Sequence, residues 1–238
     1  MPGATQAVLP PFFGGYTSIF QRFTRQVSDR IWNTVTFTVD NLRALLAELN
    51  DAMTIEDAGP AEWLVCGGTA LALQGFGSRT TRDVDVLGNW LPQGLEVVAI
   101  GTFPAAIERS IARVAAAHPE LQGMGSAWVN LGAQPLVGFG LPEGFAQRLT
   151  AVRVGERLTL HLLGRTDLIA LKLFAAADDI GSRQQIHLDD LRSFRPTEEE
   201  IENAIRWTVR MPAPHHRIKP TLKDIVEELG FHELAYYL

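Results

Sequence analysis

Gly67-Gly68-Thr69-Ala70-Leu71-Ala72-Leu73, followed by Gly77-Ser78-Arg79-Thr80-Thr81-Arg82-Asp83-Val84-Asp85-Val86, is the stretch on which the reading of this chain turns. The apolar run Trp63-Leu64-Val65-Cys66 before it reads as a short buried strand. The glycine pair breaks that strand, and Thr69 to Leu73 begins a helix. Arg82 to Leu87 then alternates polar with apolar residues, which predicts a second strand closed by Gly88 and Asn89.

Side chains alternate across a strand, so Asp83 and Asp85 share one face while Val84 and Val86 share the other. At a rise of about 3.3 Å per residue the two carboxylates are rooted roughly 6.5 Å apart, close enough to close around one or two Mg²⁺ or Mn²⁺ ions. Glycine lets backbone N–H groups approach a phosphate, and a helix starting beyond Gly68 turns its positive end toward that anion. Gly67, Gly68, Thr69, Ser78 and Arg79 are therefore candidate nucleotide-binding residues, and Asp83 and Asp85 candidate metal ligands and catalytic residues. A Gly-Gly turn or an Asp pair alone is commonplace; the strand, turn, helix and same-face pair together are not.

Outward from this segment, Leu42, Leu45, Leu46 and Leu49 recur at helical spacing, with Asp40 as the expected cap. A helix is predicted over Pro104 to Ala117, with Ile107, Ile111 and Val114 on one face. Residues 123 to 150 are rich in Gly and Pro and give no clear pattern. Val152 to Val154 and Leu158 to Leu163 flank Gly155-Glu156 as a hairpin. From Thr166, read as a cap, the signals turn helical: Leu168, Leu171 and Lys172 in one helix, then Thr197 with Glu200 as a capping box. A last helix is expected to start at Pro220 and end at Gly230. The reading is α+β: an irregular arm over 1–34 that docks through Phe12, Phe13, Phe20 and Phe23, a catalytic domain over 35–165 and a helical region over 166–238.

The 238 residues are 46% hydrophobic and 20% charged, as expected of a packed chain, with a net charge of −6. That acidity argues against a surface binding nucleic acid throughout, and leaves local basic groups such as Arg22, Arg25 and Arg30, or Arg206, Arg210, Arg217 and Lys219. Cys66 is the single cysteine and reads as core, so no internal disulfide can form. No stretch reaches the roughly 18 apolar residues of a membrane span. The first thirty residues, interrupted by Pro10, Pro11, Gly14 and Gly15, lack a signal-peptide pattern, so a cytoplasmic protein is expected. His215 and His216 have no ligand-type neighbours at zinc spacing.

Gly67 to Leu73 with Arg79 to Asp85 resembles the signature of the DNA polymerase β-like nucleotidyltransferase superfamily, and within it bacterial enzymes of the AbiE toxin type. The likeness continues through Leu141-Pro142-Glu143-Gly144-Phe145 with Arg148, through Asp167 to Leu173, and through His187 to Leu191, covering about residues 38 to 210. It implies a metal-dependent transfer of a nucleotide from a nucleoside triphosphate. In the toxin relatives the acceptor is RNA, notably tRNA, and a separate antitoxin restrains the enzyme. By position, Asp83 and Asp85 match the metal pair, Lys172 a phosphate-contacting lysine, and Asp190, rather than Asp189, a distal acid acting as base. Many members add a third carboxylate from a neighbouring strand, where this chain offers His161.

Two other readings stay open at this stage. The acceptor could be a small molecule or a protein hydroxyl, or the fold could bind nucleotide without catalysis.

Overall fold

In a computed structural model of the chain, the residues described are 36–76, 80–121, 123–178, 183–212 and 215–238, without the side chains of 215–217. The N-terminal arm, Ser78, Arg79 and the side chains of His215 and His216 lie outside them. The architecture is the expected α+β arrangement, a mixed six-stranded sheet with flanking helices and a helical C-terminal part.

The first helix, α1 (Val39–Ile55), buries Leu42, Leu45, Leu46, Leu49, Ala52 and Met53 along one stripe. Its cap is Thr38, whose hydroxyl accepts from the Asn41 N–H at 3.3 Å. Asp40, expected as the cap, lies in the first turn, where a carboxylate still favours the helix dipole.

Strand β1 (Ala61–Cys66) runs into α2 (Gly67–Leu73), and β2 spans Val84–Leu91. They are followed by β3 (Glu96–Val98), α3 (Ala105–Ala117), β4 (Val129–Asn130), α4 (Pro135–Phe139), β5 (Thr150–Arg153) and β6 (Leu158–Leu162). The sheet order is β3-β2-β1-β6-β5, with β4 parallel to β2 at its start. β1 is antiparallel to β2 and parallel to β6, and β5 and β6 form the expected hairpin.

β2 does not stop at Gly88 and Asn89 as its sequence suggested. A Cβ on Gly88 would meet the Val98 carbonyl oxygen at 2.5 Å, so this glycine permits close approach of β3 inside the strand. Just before it lies a bulge: Val65 pairs with Val86 and Leu64 with Gly88, leaving Leu87 as the extra residue. The bulge resets the alternation, so Asp85 and Trp90, an odd number of residues apart, face the same side. Trp90 there meets the His161 ring with centroids 5.9 Å apart. Trp63, Val65, Val86, Leu160 and Leu162 build the opposite, apolar face, and each is fully buried, contributing about 1.5–3 kcal/mol of transfer free energy apiece.

The C-terminal helices are α5 (Arg165–Asp178), α6 (Gln184–Phe194), α7 (Glu198–Thr208), α8 (His215–Glu228) and α9 (His232–Tyr236). α5 is buried along nearly its whole length among α6, α7 and α8. Thr166, read as its cap, sits inside its first turn. The Thr197–Glu200 capping box starts α7 as expected. α8 reaches back to His215 and carries Pro220 within it, so the proline does not mark its start. It ends in a Schellman motif at Gly230 (φ 92°), whose N–H reaches the Glu227 carbonyl while that of Phe231 reaches Val226. One continuous cluster of buried side chains runs from Phe37 to Ala235, across the position 165/166 where the helical region begins.

Candidate active site

The site is assembled where β1 ends and β2 begins. Asp85 pairs with Cys66 across those strands, and Asp83 lies in the bend just before β2. Two hydroxyls fix that bend: Thr69 donates to the Asp83 carbonyl at 2.7 Å and Thr81 to the same oxygen at 3.0 Å. Thr69, expected to touch nucleotide, is fully buried and spends its hydroxyl on the backbone of the first aspartate. Thr81 is in turn held by a two-way backbone bridge to Phe37.

The glycines are explained by what presses on them. Gly67 has a left-handed φ of 66°, and a Cβ there would fall 2.1 Å from the Asp85 carboxylate. At Gly68 a Cβ would lie 2.5 Å from the Thr81 hydroxyl. The turn is thus bare of side chains because the aspartate and the threonine occupy that space.

Both carboxylates turn to the same side, and the proof is a residue that sequence patterns did not reveal. The Asn130 side-chain amide donates to Asp83 Oδ2 at 3.2 Å and to Asp85 Oδ1 at 3.2 Å. Its own oxygen accepts from the Gly132 N–H at 2.8 Å, which orients the amide with its nitrogen toward the acids. Asn130 lies on β4, in register with Asp85, inside the Gly-rich stretch that carried no periodic signal.

Asp83 is half-buried by surface, yet protein surrounds its carboxyl closely enough that burial, reinforced by the Asp85 charge, pushes its pKa up to about 7. Arg183, Lys172 and Arg82 act in the opposite direction, so three cations lie within electrostatic reach of Asp83. Burial, with Asp85 nearby, pushes the Cys66 thiol well above its ordinary range, consistent with an inert core residue.

Lys172 is indeed turned inward: its ammonium meets Asp190 at 2.6 Å, with both side chains almost wholly buried. Lys172 on α5 and Asp190 on α6 are therefore brought together, and Lys172 reaches the field of Asp83. Asp189 instead points to solvent and pairs with Arg192. The first turn of the helix carrying Lys172 is tied down separately. Arg148 donates through Nε to the fully buried Asp167 at 3.1 Å and through Nη2 to the Glu143 carbonyl at 2.8 Å, tying the segment around Glu143 to the first turn of α5.

His161 is bonded to Glu62 and stands beside Leu64, away from the Asp85 row. That row runs Asn130, Asp85, Cys66, and the ladder continues to Leu163, whose N–H reaches the Val65 carbonyl at 3.1 Å. Among the described residues it carries no further carboxylate.

Two acidic side chains converging on one nitrogen beside a glycine turn, with cationic side chains in electrostatic reach of Asp83, suit a cation and a polyphosphate together. Hard oxygen donors are what Mg²⁺ and Mn²⁺ take. No helix among the described residues is long and apolar enough to cross a membrane. No curated protein and no solved structure was found to match the chain. A family model described as a nucleotidyltransferase of unknown function (DUF6036) matches residues 40–191, which contain Gly67, Asp83, Asp85, Asn130, Lys172 and Asp190. The chain belongs to that nucleotidyltransferase family.

Proposed function

We propose that this protein transfers a nucleoside monophosphate from a nucleoside triphosphate to a hydroxyl acceptor, with Asp83 and Asp85 holding Mg²⁺ or Mn²⁺. The observation that carries the reading is the convergence of both carboxylates on the Asn130 amide, beside Gly67 and within reach of the Lys172 charge.

When bound, the cation supplies charge neutralisation for the triphosphate and for the pyrophosphate that leaves. The chain's own residues do the positioning. Thr69 and Thr81 hold the backbone of Asp83, Gly67 gives Asp85 its space, and Ser78 and Arg79 add a hydroxyl and a cation for the phosphates. Lys172 offsets phosphate charge. Asp190 was expected from its sequence position to act as the base. Because it is buried and engaged by Lys172 at 2.6 Å, we assign it to aiming that ammonium. The acceptor oxygen attacks the α-phosphorus, the α–β bridging bond breaks, and the hydroxyl proton leaves to water. Rate enhancement comes from orientation and charge stabilisation.

The acceptor is RNA, tRNA foremost, with a separately encoded antitoxin as restraining partner. This part rests on the likeness of Asp167 to Leu173 and His187 to Leu191 to AbiE-type toxins. The test is to incubate the protein with each α-labelled nucleoside triphosphate, Mg²⁺ or Mn²⁺, and total RNA. Label in RNA above an Asp83→Ala/Asp85→Ala control supports the proposal. Label in small-molecule acceptors alone replaces RNA as substrate, and no transfer to any acceptor overturns the reading.

A further inference from the structure

Asn130 is the side chain that the strand beside Asp85 brings to both aspartates. β4 runs parallel to β2 and places Asn130 directly beside Asp85. On the other flank of Asp85 the row continues through Cys66 toward Leu163, both apolar and buried. β4 is therefore the neighbouring strand from which a side chain reaches both aspartates.

What Asn130 presents there is not a ligand. Its oxygen is turned away, accepting from the Gly132 N–H, and its nitrogen, which has no lone pair to give a metal, faces the acids. The two amide hydrogens are matched to two carboxylate oxygens, each at 3.2 Å. Such a donor holds two like charges together without a cation, and adds no charge when a cation comes.

We propose that Asn130 is a positioning residue that sets the order of loading: it keeps the Asp83–Asp85 pair assembled while limiting it to two carboxylates, so that the divalent cation binds with the nucleotide and not before it. This rests on the nucleotidyltransferase reading above. Mg²⁺ dehydrates reluctantly and is commonly held by one or two carboxylates together with substrate phosphates, and cation affinity rises with the number of charged ligands. A site with two carboxylates and an amide falls in the first class; a third carboxylate moves it out.

The experiment compares the full chain with Asn130→Asp and Asn130→Ala. Free Mn²⁺ is followed by its electron paramagnetic resonance signal, with and without a non-hydrolysable nucleoside triphosphate analogue, and thermal melting is followed in EDTA. The unmodified protein should bind Mn²⁺ weakly alone and much more tightly with the analogue. Asn130→Asp should bind Mn²⁺ alone roughly tenfold or more tightly than the unmodified protein, while melting lower in EDTA because three acids then crowd one place. Asn130→Ala should also melt lower in EDTA, having lost both donors, without gaining affinity for Mn²⁺ alone.

Mn²⁺ binding by the unmodified protein that is as tight without the analogue as with it overturns the proposal, as does an Asn130→Asp affinity for Mn²⁺ alone no tighter than that of the unmodified protein. So does a melting temperature for Asn130→Ala in EDTA equal to that of the unmodified protein. If Asn130→Asp does not fold in EDTA, refolding is attempted with MnCl₂: recovery supports the proposal and failure opposes it. Should the unmodified protein bind no Mn²⁺ with any nucleotide analogue, the nucleotidyltransferase reading and the loading order both fall. A difference between the variants toward Mn²⁺ alone would then still establish Asn130 as the residue limiting the charge of the pair.

Discussion

The carboxylate of Asp85 lies against Gly67 so closely that a Cβ on the glycine would fall 2.1 Å from Oδ2. Gly67 also has a φ of 66°, a conformation that costs any other residue. Turn and acid are therefore one unit. Gly67→Ala should combine backbone strain with overpacking, a loss of roughly 2–4 kcal/mol and a fall in Tm on the order of 5–15 °C. Differential scanning calorimetry reads it; an unchanged melting temperature would mean that Asp85 is not seated on the turn.

Lys172 and Asp190 form a buried ion pair at 2.6 Å. Removing one partner strands the other charge, so Asp190→Ala and Lys172→Ala should each lose about 3–5 kcal/mol. Replacing both, as Lys172→Met with Asp190→Leu, should recover most of that stability in urea unfolding while leaving nucleotide transfer abolished. Recovery of both would show that the pair serves packing alone.

Thr69 separates two roles that its sequence position left joined. Its hydroxyl donates to the Asp83 carbonyl at 2.7 Å. Thr69→Val keeps the shape and removes one of the two donors to that oxygen, leaving Thr81, so it should cost about 0.5–1.5 kcal/mol, the net worth of one hydrogen bond, lowering kcat with little change in nucleotide affinity. A selective loss of nucleotide binding would instead place the hydroxyl on substrate.

His118 is the site of a pH-dependent clasp, bonded to Glu48 of α1 at 2.7 Å and to Glu120 at 3.1 Å. These acids, Glu48 foremost, raise its pKa. A histidine whose folded pKa is raised contributes fully below its unfolded value, near 6.5, and the contribution fades as pH rises through the folded value. The clasp is largely exposed, so the effect should stay below about 1 kcal/mol. Melting from pH 6 to pH 9 should show His118→Gln losing this component at the acidic end only; an equal loss at both ends would contradict it.

Much of the fold was legible because its signals are local. The stripe Leu42, Leu45, Leu46, Leu49 needs only helical period, and Thr197 with Glu200 only capping chemistry. The same-face placement of Asp83 and Asp85 was read from alternation along one strand; β2 in fact starts at Val84, with Asp83 held in the bend before it by Thr69 and Thr81, and the Asn130 amide still reaches both acids. Where competing local cues lay close together, the finer detail was lost: Thr38 and Asp40 both make good caps, and the helix took the first. Gly88 looked like a terminator because its close approach to β3 is a tertiary fact. Asn130 had no signal, since its role depends on a two-residue strand pairing with β2 across a long stretch of chain. The same holds for the bulge at Leu87 and for the Arg148–Asp167 tie.

On the proposed reading, Asp83 and Asp85 together hold a divalent cation against nucleotide phosphates. This is checked by calorimetric titration of a non-hydrolysable nucleoside triphosphate analogue with Mn²⁺ into the protein. Binding should be saturable and should disappear when Mn²⁺ is omitted and in Asp83→Asn/Asp85→Asn, a variant that should remain folded because Asn130 can still donate to the two amide oxygens. Equal binding by that variant, or binding indifferent to Mn²⁺, would contradict that reading.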